Sequence, residues 1–347
     1  MLLEDEVNIV NTNIASIELA PTSRFIASKR PLNGLDHFVE EGRKQVQAIL
    51  KREDTRFLMV VGPCSIHDVR EGVEYAKKLA ILADKVKDKI QIVMRVYVEK
   101  PRTQEGWPGL FYDPHLDGSG DIVQGLIDTR EIFYQVLSSG LLTATEITDN
   151  VNPQFYSDML VYAAIGARTA ESQPHRWMAS GLSMPVGFKN STSGKIKVAV
   201  DGAATARKPH TFLGIDFDGR LAILKTKGNP YSHIILRGGD SGSNYDEQSV
   251  QDAIRLLTEN RVSDMGLVID ANHGNSQKDY RRQPEIVYEL IKHKQKGLPI
   301  VGTMVESNLR EGSQKIKPPL EYGVSVTDSC LGWQDTEQMI MRAYKML

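Results

Sequence analysis

Cys64, His273, Glu306 and Asp328 offer a thiolate, an imidazole and two carboxylates, a donor set that suits a divalent transition metal. Such a mixed set does not select one ion, and Zn, Fe, Mn and Co all fit it. Arg95, Lys100, Arg102, Arg168, Lys189 and Arg237 form a second group. Gathered at one low-dielectric mouth, these cations would repel strongly, so they make sense around multiply charged anions. The arginine fork suits phosphate and carboxylate, and lysine adds a compact charge. Glu146 can accept hydrogen bonds from them or position water. A metal can polarise an aldehyde, while cations hold phosphorylated substrates. Together they suit condensation of a phosphorylated three-carbon compound with an aldehyde.

Most of these residues close a short apolar run. Phe57–Pro63 runs into Cys64, Ile90–Met94 into Arg95, Leu142–Thr145 into Glu146 and Tyr162–Ala167 into Arg168. Met184–Phe188 runs into Lys189, His233–Leu236 into Arg237, Met265–Asn272 into His273 and Pro299–Val305 into Glu306. Runs of this length, bounded by turn residues, predict parallel strands buried on both faces. Their number and spacing predict an α/β fold, a (β/α)8 TIM barrel with its chemistry at the strand carboxyl ends. In a closed barrel the last strand neighbours the first, so the four metal donors can converge.

Between the runs, apolar residues recur at helical spacing over 35–50, 72–87, 122–137, 249–257, 284–291 and 335–346. Two stretches interrupt the alternation. Residues 100–120 read as a long functional loop, dense in Pro, Gly and Asp. Residues 211–225 hold Asp218-Gly219 between two apolar runs, a hairpin signal. The expected organisation is an N-terminal extension and helix over 1–52, serving oligomer and regulatory contacts. A catalytic barrel over 53–347 carries the hairpin. A formal net charge of −2 gives no pull toward nucleic acid or membrane. Two cysteines are too few for a secreted disulfide framework. The acidic MLLEDEVNIV start lacks signal-peptide order, so a cytoplasmic location is expected.

The segments VGPCSIHD (61–68), MRVYVEKPRTQEGWPGL (94–110), AIGARTAESQPHR (164–176) and PVGFKN (185–190) closely resemble those of the microbial type I 3-deoxy-D-arabino-heptulosonate-7-phosphate (DAHP) synthases. So do ILRGG (235–239), HGNS (273–276), MVESNLREG (304–312) and YGVSVTD (322–328). The resemblance implies a metal-dependent condensation of phosphoenolpyruvate with erythrose 4-phosphate. It assigns one divalent metal to Cys64, His273, Glu306 and Asp328. The phosphoenolpyruvate phosphate falls to Ala167, Arg168, Lys189 and Arg237, and its carboxylate to Arg95 and Lys100. Lys100, Pro101, Arg102 and Thr103 would hold the aldose phosphate, with Asp328 also at the substrate. Lys100 would assist proton transfer and Glu146 would order water, so the catalytic set is Lys100, Cys64, His273 and Glu146.

The resemblance also implies feedback inhibition by an aromatic amino acid in a homodimer or homotetramer. The inhibitor cavity would lie around Asn150, Pro153, Gln154, Met178, Ser183 and Phe212. Gly214, where phenylalanine-sensitive relatives carry Ser, leaves room for a phenolic oxygen and implies tyrosine. The chain departs from the family pattern at Ala271-Asn272, at the longer GGDSGSNYD loop and at Pro108, where relatives usually carry Lys, and none of these removes a metal ligand or a phosphate contact. A related octulosonate-phosphate synthase is the nearest enzymatic alternative, and a non-catalytic phosphosugar-binding regulator is the other.

Overall fold

Strand and helix alternate along the chain in a computed structural model that describes residues 10–347. The strands are β1 (Phe57–Gly62), β2 (Ile90–Arg95), β3 (Leu142–Ile147), β4 (Tyr162–Ile165), β5 (Val186–Lys189), β6 (Thr211–Ile215), β7 (Leu221–Lys225), β8 (His233–Leu236), β9 (Leu267–Asp270) and β10 (Ile300–Glu306). All but β6 and β7 close into one parallel barrel in the order β1-β10-β9-β8-β5-β4-β3-β2. The expected (β/α)8 barrel is therefore present, and β1 does lie beside β10, with Gly62 opposite Glu306. Every barrel strand is buried along nearly its whole length, which is why the sequence reads as continuous apolar runs rather than alternation.

The helices are α1 (Ser23–Lys29), α2 (Asp36–Leu50), α3 (Val69–Val86), α4 (Ile122–Ser138), α5 (Gln173–Ala179), α6 (Ile196–Ala206), α7 (Glu247–Glu259), α8 (His273–Ser276), α9 (Gln283–Gln295) and α10 (Trp333–Met346). Side chains of Asp68, Asp121 and Asp246 cap α3, α4 and α7 by accepting from Arg70, Gln124 and Ser249 backbone N–H groups. The sequence pattern missed α1, α5, α6 and the single-turn α8. Helix α6 begins Ile-Lys-Val-Ala-Val, which alternates like a strand, and α5 is a short helix with Pro174 in its first turn. Helix α2 buries Val39, Val46, Ile49 and Leu50. Its Leu50 carbonyl accepts from Gly266 N–H at 2.6 Å, just before β9, so this helix closes the amino-terminal end of the barrel.

Two predicted strands end early. The Tyr162–Ala167 run stops at Ile165, where Thr169 N–H turns back to the Gly166 carbonyl at 3.1 Å. The run to Asn272 stops at Asp270, whose side chain accepts from Asn272 N–H at 3.0 Å and bends the chain. The β6–β7 hairpin stands outside the barrel in antiparallel register, Thr211 opposite Lys225, as Asp218-Gly219 predicts. Its tip holds α1: the Phe217 carbonyl accepts from Arg24 N–H at 3.0 Å and Ser23 Oγ at 2.9 Å. Arg24 and Asp218 add an exposed ion pair at 2.6 Å.

Candidate active site

The strand carboxyl ends open on a cavity of about 760 Å³ lined by Arg95, Lys100, Pro101, Arg102, Thr103, Glu146, Ala167, Arg168, Lys189, Arg237, His273, Glu306 and Asp328. Every cation singled out in the sequence reaches this one space. Arg95, Glu146, Lys189 and Glu306 are the last or next-to-last residues of their strands, so barrel closure alone aims them inward. Arg102 and Arg168 stand at the exposed rim, where Arg168 Nε donates to Thr103 Oγ1 at 2.6 Å and ties the long loop to the β4 end.

The deep charges are paired. Arg95 Nη2 donates to Glu306 Oε1 at 2.9 Å, and Lys189 Nζ donates to Glu146 Oε2 at 2.8 Å. Burial works to raise the Glu146 pKa, but Lys189 and Lys100 outweigh it and hold the carboxyl down to about 2. Glu146 fits there because a Cβ at position 166 would lie 2.5 Å from its Oε1, a space that Gly166 leaves open. Burial likewise opposes the charge on Lys100, yet Cys64, Glu306 and Asp328 keep its pKa above the lysine range.

Cys64 lies just beneath the cavity, with no exposed surface. Its Sγ, a Glu306 oxygen and an Asp328 oxygen fall within 4.8 Å of one another. The thiol points at Asp328 Oδ2 from 3.6 Å, and Lys100 Nζ stands 3.1 Å from the same sulfur. Burial pushes the Cys64 thiol up to about 12, so a metal taken here would displace its proton. One thiol and two carboxylates fit a divalent transition ion. The fourth expected donor stands apart from this group: His273 Nε2 is 3.9 Å from Glu306 Oε1, and its Nδ1 faces Asp270 Oδ2 at 2.9 Å. His273 opens α8 with φ of +55°, a left-handed backbone angle.

Sequence reasoning missed Tyr97, Gln283 and Asp270 and named Asn272 only as a departure from the family pattern. Tyr97 is buried at the cavity wall with no partner for its hydroxyl among the described residues, and the Arg95 guanidinium lies 3.9 Å from its ring centroid. Asn272 Nδ2 donates to Glu306 Oε2 at 2.5 Å, so the departure from the family pattern at this position supplies a carboxylate partner. Gln283 brackets the Glu306 backbone, donating to its carbonyl at 3.0 Å and accepting from its N–H at 2.8 Å. Asp270 ends β9 behind His273 and Lys189. The polar end of the run Leu-Val-Ile-Asp was a usable signal for Asp270. Tyr97, inside Val-Tyr-Val, carried none.

The expected inhibitor residues gather in part. Pro153 and Gln154 lie in a short 3₁₀ turn, and Gln154 Nε2 donates to the Ile215 carbonyl at 3.2 Å. Trp177, next to the buried Met178, stacks on Phe212 of β6 with centroids 6.3 Å apart. Gly214 lies on the same strand, and Asn150 and Ser183 are exposed.

Residues 37–341 match the profile of the DAHP synthetase I family. The chain is 42% identical over 342 residues to "Phospho-2-dehydro-3-deoxyheptonate aldolase, Tyr-sensitive" of Salmonella typhimurium, covering 97% of this chain and 96% of the relative. It is 46% identical over 330 residues to the Trp-sensitive aldolase of Escherichia coli K12, covering 94% of each. A solved phospho-2-dehydro-3-deoxyheptonate aldolase from Francisella tularensis superposes with a TM-score of 0.94 at 41% identity, over 96% of this chain and 98% of that one. With the barrel, the cation-lined mouth and the thiol–carboxylate group in one place, the chain belongs to the DAHP synthetase I family.

Proposed function

We propose that this chain condenses phosphoenolpyruvate with D-erythrose 4-phosphate and water, giving DAHP and inorganic phosphate at the entry to the shikimate pathway. The observation that carries this reading is one cavity lined by six cations, with the buried Cys64 thiol just beneath it beside the Glu306 and Asp328 carboxylates. Arg168, Lys189 and Arg237, with the Ala167 backbone, hold the phosphate of phosphoenolpyruvate, while Arg95 and Lys100 hold its carboxylate. Pro101, Arg102 and Thr103 face the aldose phosphate. Cys64, Glu306 and Asp328, with His273 alongside, would hold one divalent ion (Mn, Fe, Co or Zn). When bound, that ion supplies Lewis-acid polarisation of the aldehyde oxygen. The enol carbon attacks the aldehyde carbon, and Lys100, kept protonated by its anionic neighbours, gives a proton to the developing alkoxide. Glu146, ionised and paired with Lys189, orders the water that adds at the former enol carbon before phosphate leaves.

Tyrosine is the inhibitor in this reading, supported by Gly214 and by relatives named Tyr-sensitive. Relatives named Trp-sensitive match at comparable identity, which makes tryptophan the second candidate. Residues 1–52 serve regulation and assembly in this reading; residues 1–9 lie outside the described residues, and the docking of α1 on the hairpin supports the reading for the rest. Leu213, Leu221 and Ile223 of the hairpin and Leu19 of the extension are exposed, which supports a homodimer or homotetramer. No described helix is long and apolar enough to cross a membrane. A cytoplasmic location belongs to the same reading.

The test is phosphate release by chelator-treated protein, with Mn, Fe, Co and Zn restored singly and with erythrose 4-phosphate or arabinose 5-phosphate as acceptor. Metal-restored turnover with erythrose 4-phosphate is expected. Preference for arabinose 5-phosphate would favour the octulosonate reaction, and no turnover with either would leave a phosphosugar-binding regulator. Tyrosine, phenylalanine and tryptophan are then titrated separately.

A further inference from the structure

Asp270, the last residue of β9, is wholly buried and does not line the cavity. One carboxylate oxygen accepts from Asn272 N–H at 3.0 Å, which fixes the side chain in place. The other stands 2.9 Å from His273 Nδ1 and 3.5 Å from Lys189 Nζ. The histidine approach is oblique to the ring N–H rather than an aligned hydrogen bond, and Nδ1 has no other partner among the described residues. Lys189 already has Glu146 at 2.8 Å, so Asp270 is not its necessary counter-charge. His273 depends on Asp270 more than Lys189 does. A carboxylate at Nδ1 favours the tautomer with its proton there and leaves the Nε2 lone pair free. That nitrogen is the one turned toward Glu306.

We propose that Asp270 is a positioning residue: it holds His273 with Nδ1 protonated and Nε2 presented to the Cys64, Glu306 and Asp328 group, and it does so from behind the wall that Lys189 also lines. This rests on the reading that His273 faces a bound metal. The sign of its effect differs between ligands. Replacing the carboxylate with an amide of the same shape removes an anion and an orienting partner from the cation site. It also removes a repulsion from the neighbourhood of the phosphate-holding lysine. Metal binding weakens while phosphoenolpyruvate binding does not, whereas a general packing lesion weakens both.

The experiment titrates Mn²⁺ calorimetrically into the full chain as wild type, Asp270→Asn, His273→Ala and the double variant, followed by phosphoenolpyruvate at saturating Mn²⁺. Asp270→Asn is expected to raise the Mn²⁺ Kd by about tenfold or more and to leave the phosphoenolpyruvate Kd unchanged or lower. The double variant is expected to bind Mn²⁺ no more weakly than His273→Ala alone, because the second lesion acts through the first. An unchanged Mn²⁺ Kd in Asp270→Asn, or parallel weakening of both ligands, overturns the proposal. If His273→Ala itself leaves Mn²⁺ binding intact, the placement of His273 at a metal fails and the proposal falls with it. Nitrogen-labelled histidine spectra of the Zn²⁺-loaded wild type test the same point without a variant. A proton on Nδ1 is expected, and a proton on Nε2 overturns the proposal.

Discussion

Arg95 Nη2 donates to Glu306 Oε1 across 2.9 Å with both side chains buried, so the cation assigned to a substrate carboxylate and the carboxylate assigned to a metal are one ion pair. The two strands that carry them, β2 and β10, flank β1. Removing one member of such a pair leaves an uncompensated buried charge, which costs about 3–5 kcal/mol. Glu306→Ala should therefore lower the denaturant midpoint strongly. Glu306→Gln, which keeps the shape and one acceptor, should lower it less. Equal midpoints for wild type and Glu306→Ala would show that the pair carries no stability.

Lys100 stands 3.1 Å from the Cys64 sulfur and remains protonated, as a proton donor in the condensation must. Loss of a positioned acid typically costs about 10²–10⁴ in rate. Lys100→Ala should lower kcat by that order at saturating concentrations of both substrates. Near-normal kcat would remove Lys100 from proton transfer and leave it a binding role.

Outside the mouth, burial pushes the Glu71 carboxyl from 4.5 up to about 7, with the Gly323 N–H opposing it at 2.7 Å. The unfolded chain releases this proton near the ordinary value, so the folded state holds it over a higher pH range. Its stabilising contribution is full below about pH 4.5, declines as pH rises toward 7 and is lost above. Glu71→Gln should remove that decline. His67, 3.3 Å away, titrates in both proteins and largely cancels in the comparison. Urea midpoints at several pH values should diverge between pH 4.5 and 7 and then run parallel. Parallel curves throughout would refute the assignment.

Gly214 pairs with Ala222 across the hairpin, and a Cβ there would lie 2.6 Å from Leu224 Cδ1, the far end of a flexible side chain. Gly214→Ser should therefore fold normally, with Leu224 moving aside. It should raise the half-inhibitory tyrosine concentration at least tenfold, about 1.4 kcal/mol, and improve inhibition by phenylalanine. Unchanged tyrosine inhibition would limit Gly214 to a packing role.

The barrel was legible because parallel strands covered on both faces must be apolar throughout, and the residue that ends such a run must face the mouth. Arg95, Glu146, Lys189 and Glu306 follow from that rule alone. Arg102 and Thr103 required the family resemblance, since a loop has no periodicity to place them. Two failures have local causes. Asp270 escapes the pattern although it is the polar residue that ends its strand, because the apolar Ala271 follows it and the run reads on to Asn272. Helix α6 stayed hidden because Val198 and Val200 mimic a strand while Gly202 must sit against Phe188, where its Cβ would lie 2.6 Å from the ring. The offset of His273 from the other three donors, with its Nδ1 turned to Asp270, is set by tertiary placement that no residue spacing encodes.

Charge compensation in the mouth changes with depth. Arg95 and Lys189 are buried against carboxylates, whereas Arg102 and Arg168 sit at the rim and make no ion pair among the described residues. The rim therefore projects its field into solvent, where salt screens it over about 10 Å, while the interior pairs are shielded by the protein itself. Capture and chemistry are thereby given different sensitivities to the ionic medium. A rise in salt would slow the arrival of multiply charged anionic substrates and leave the chemical step nearly untouched.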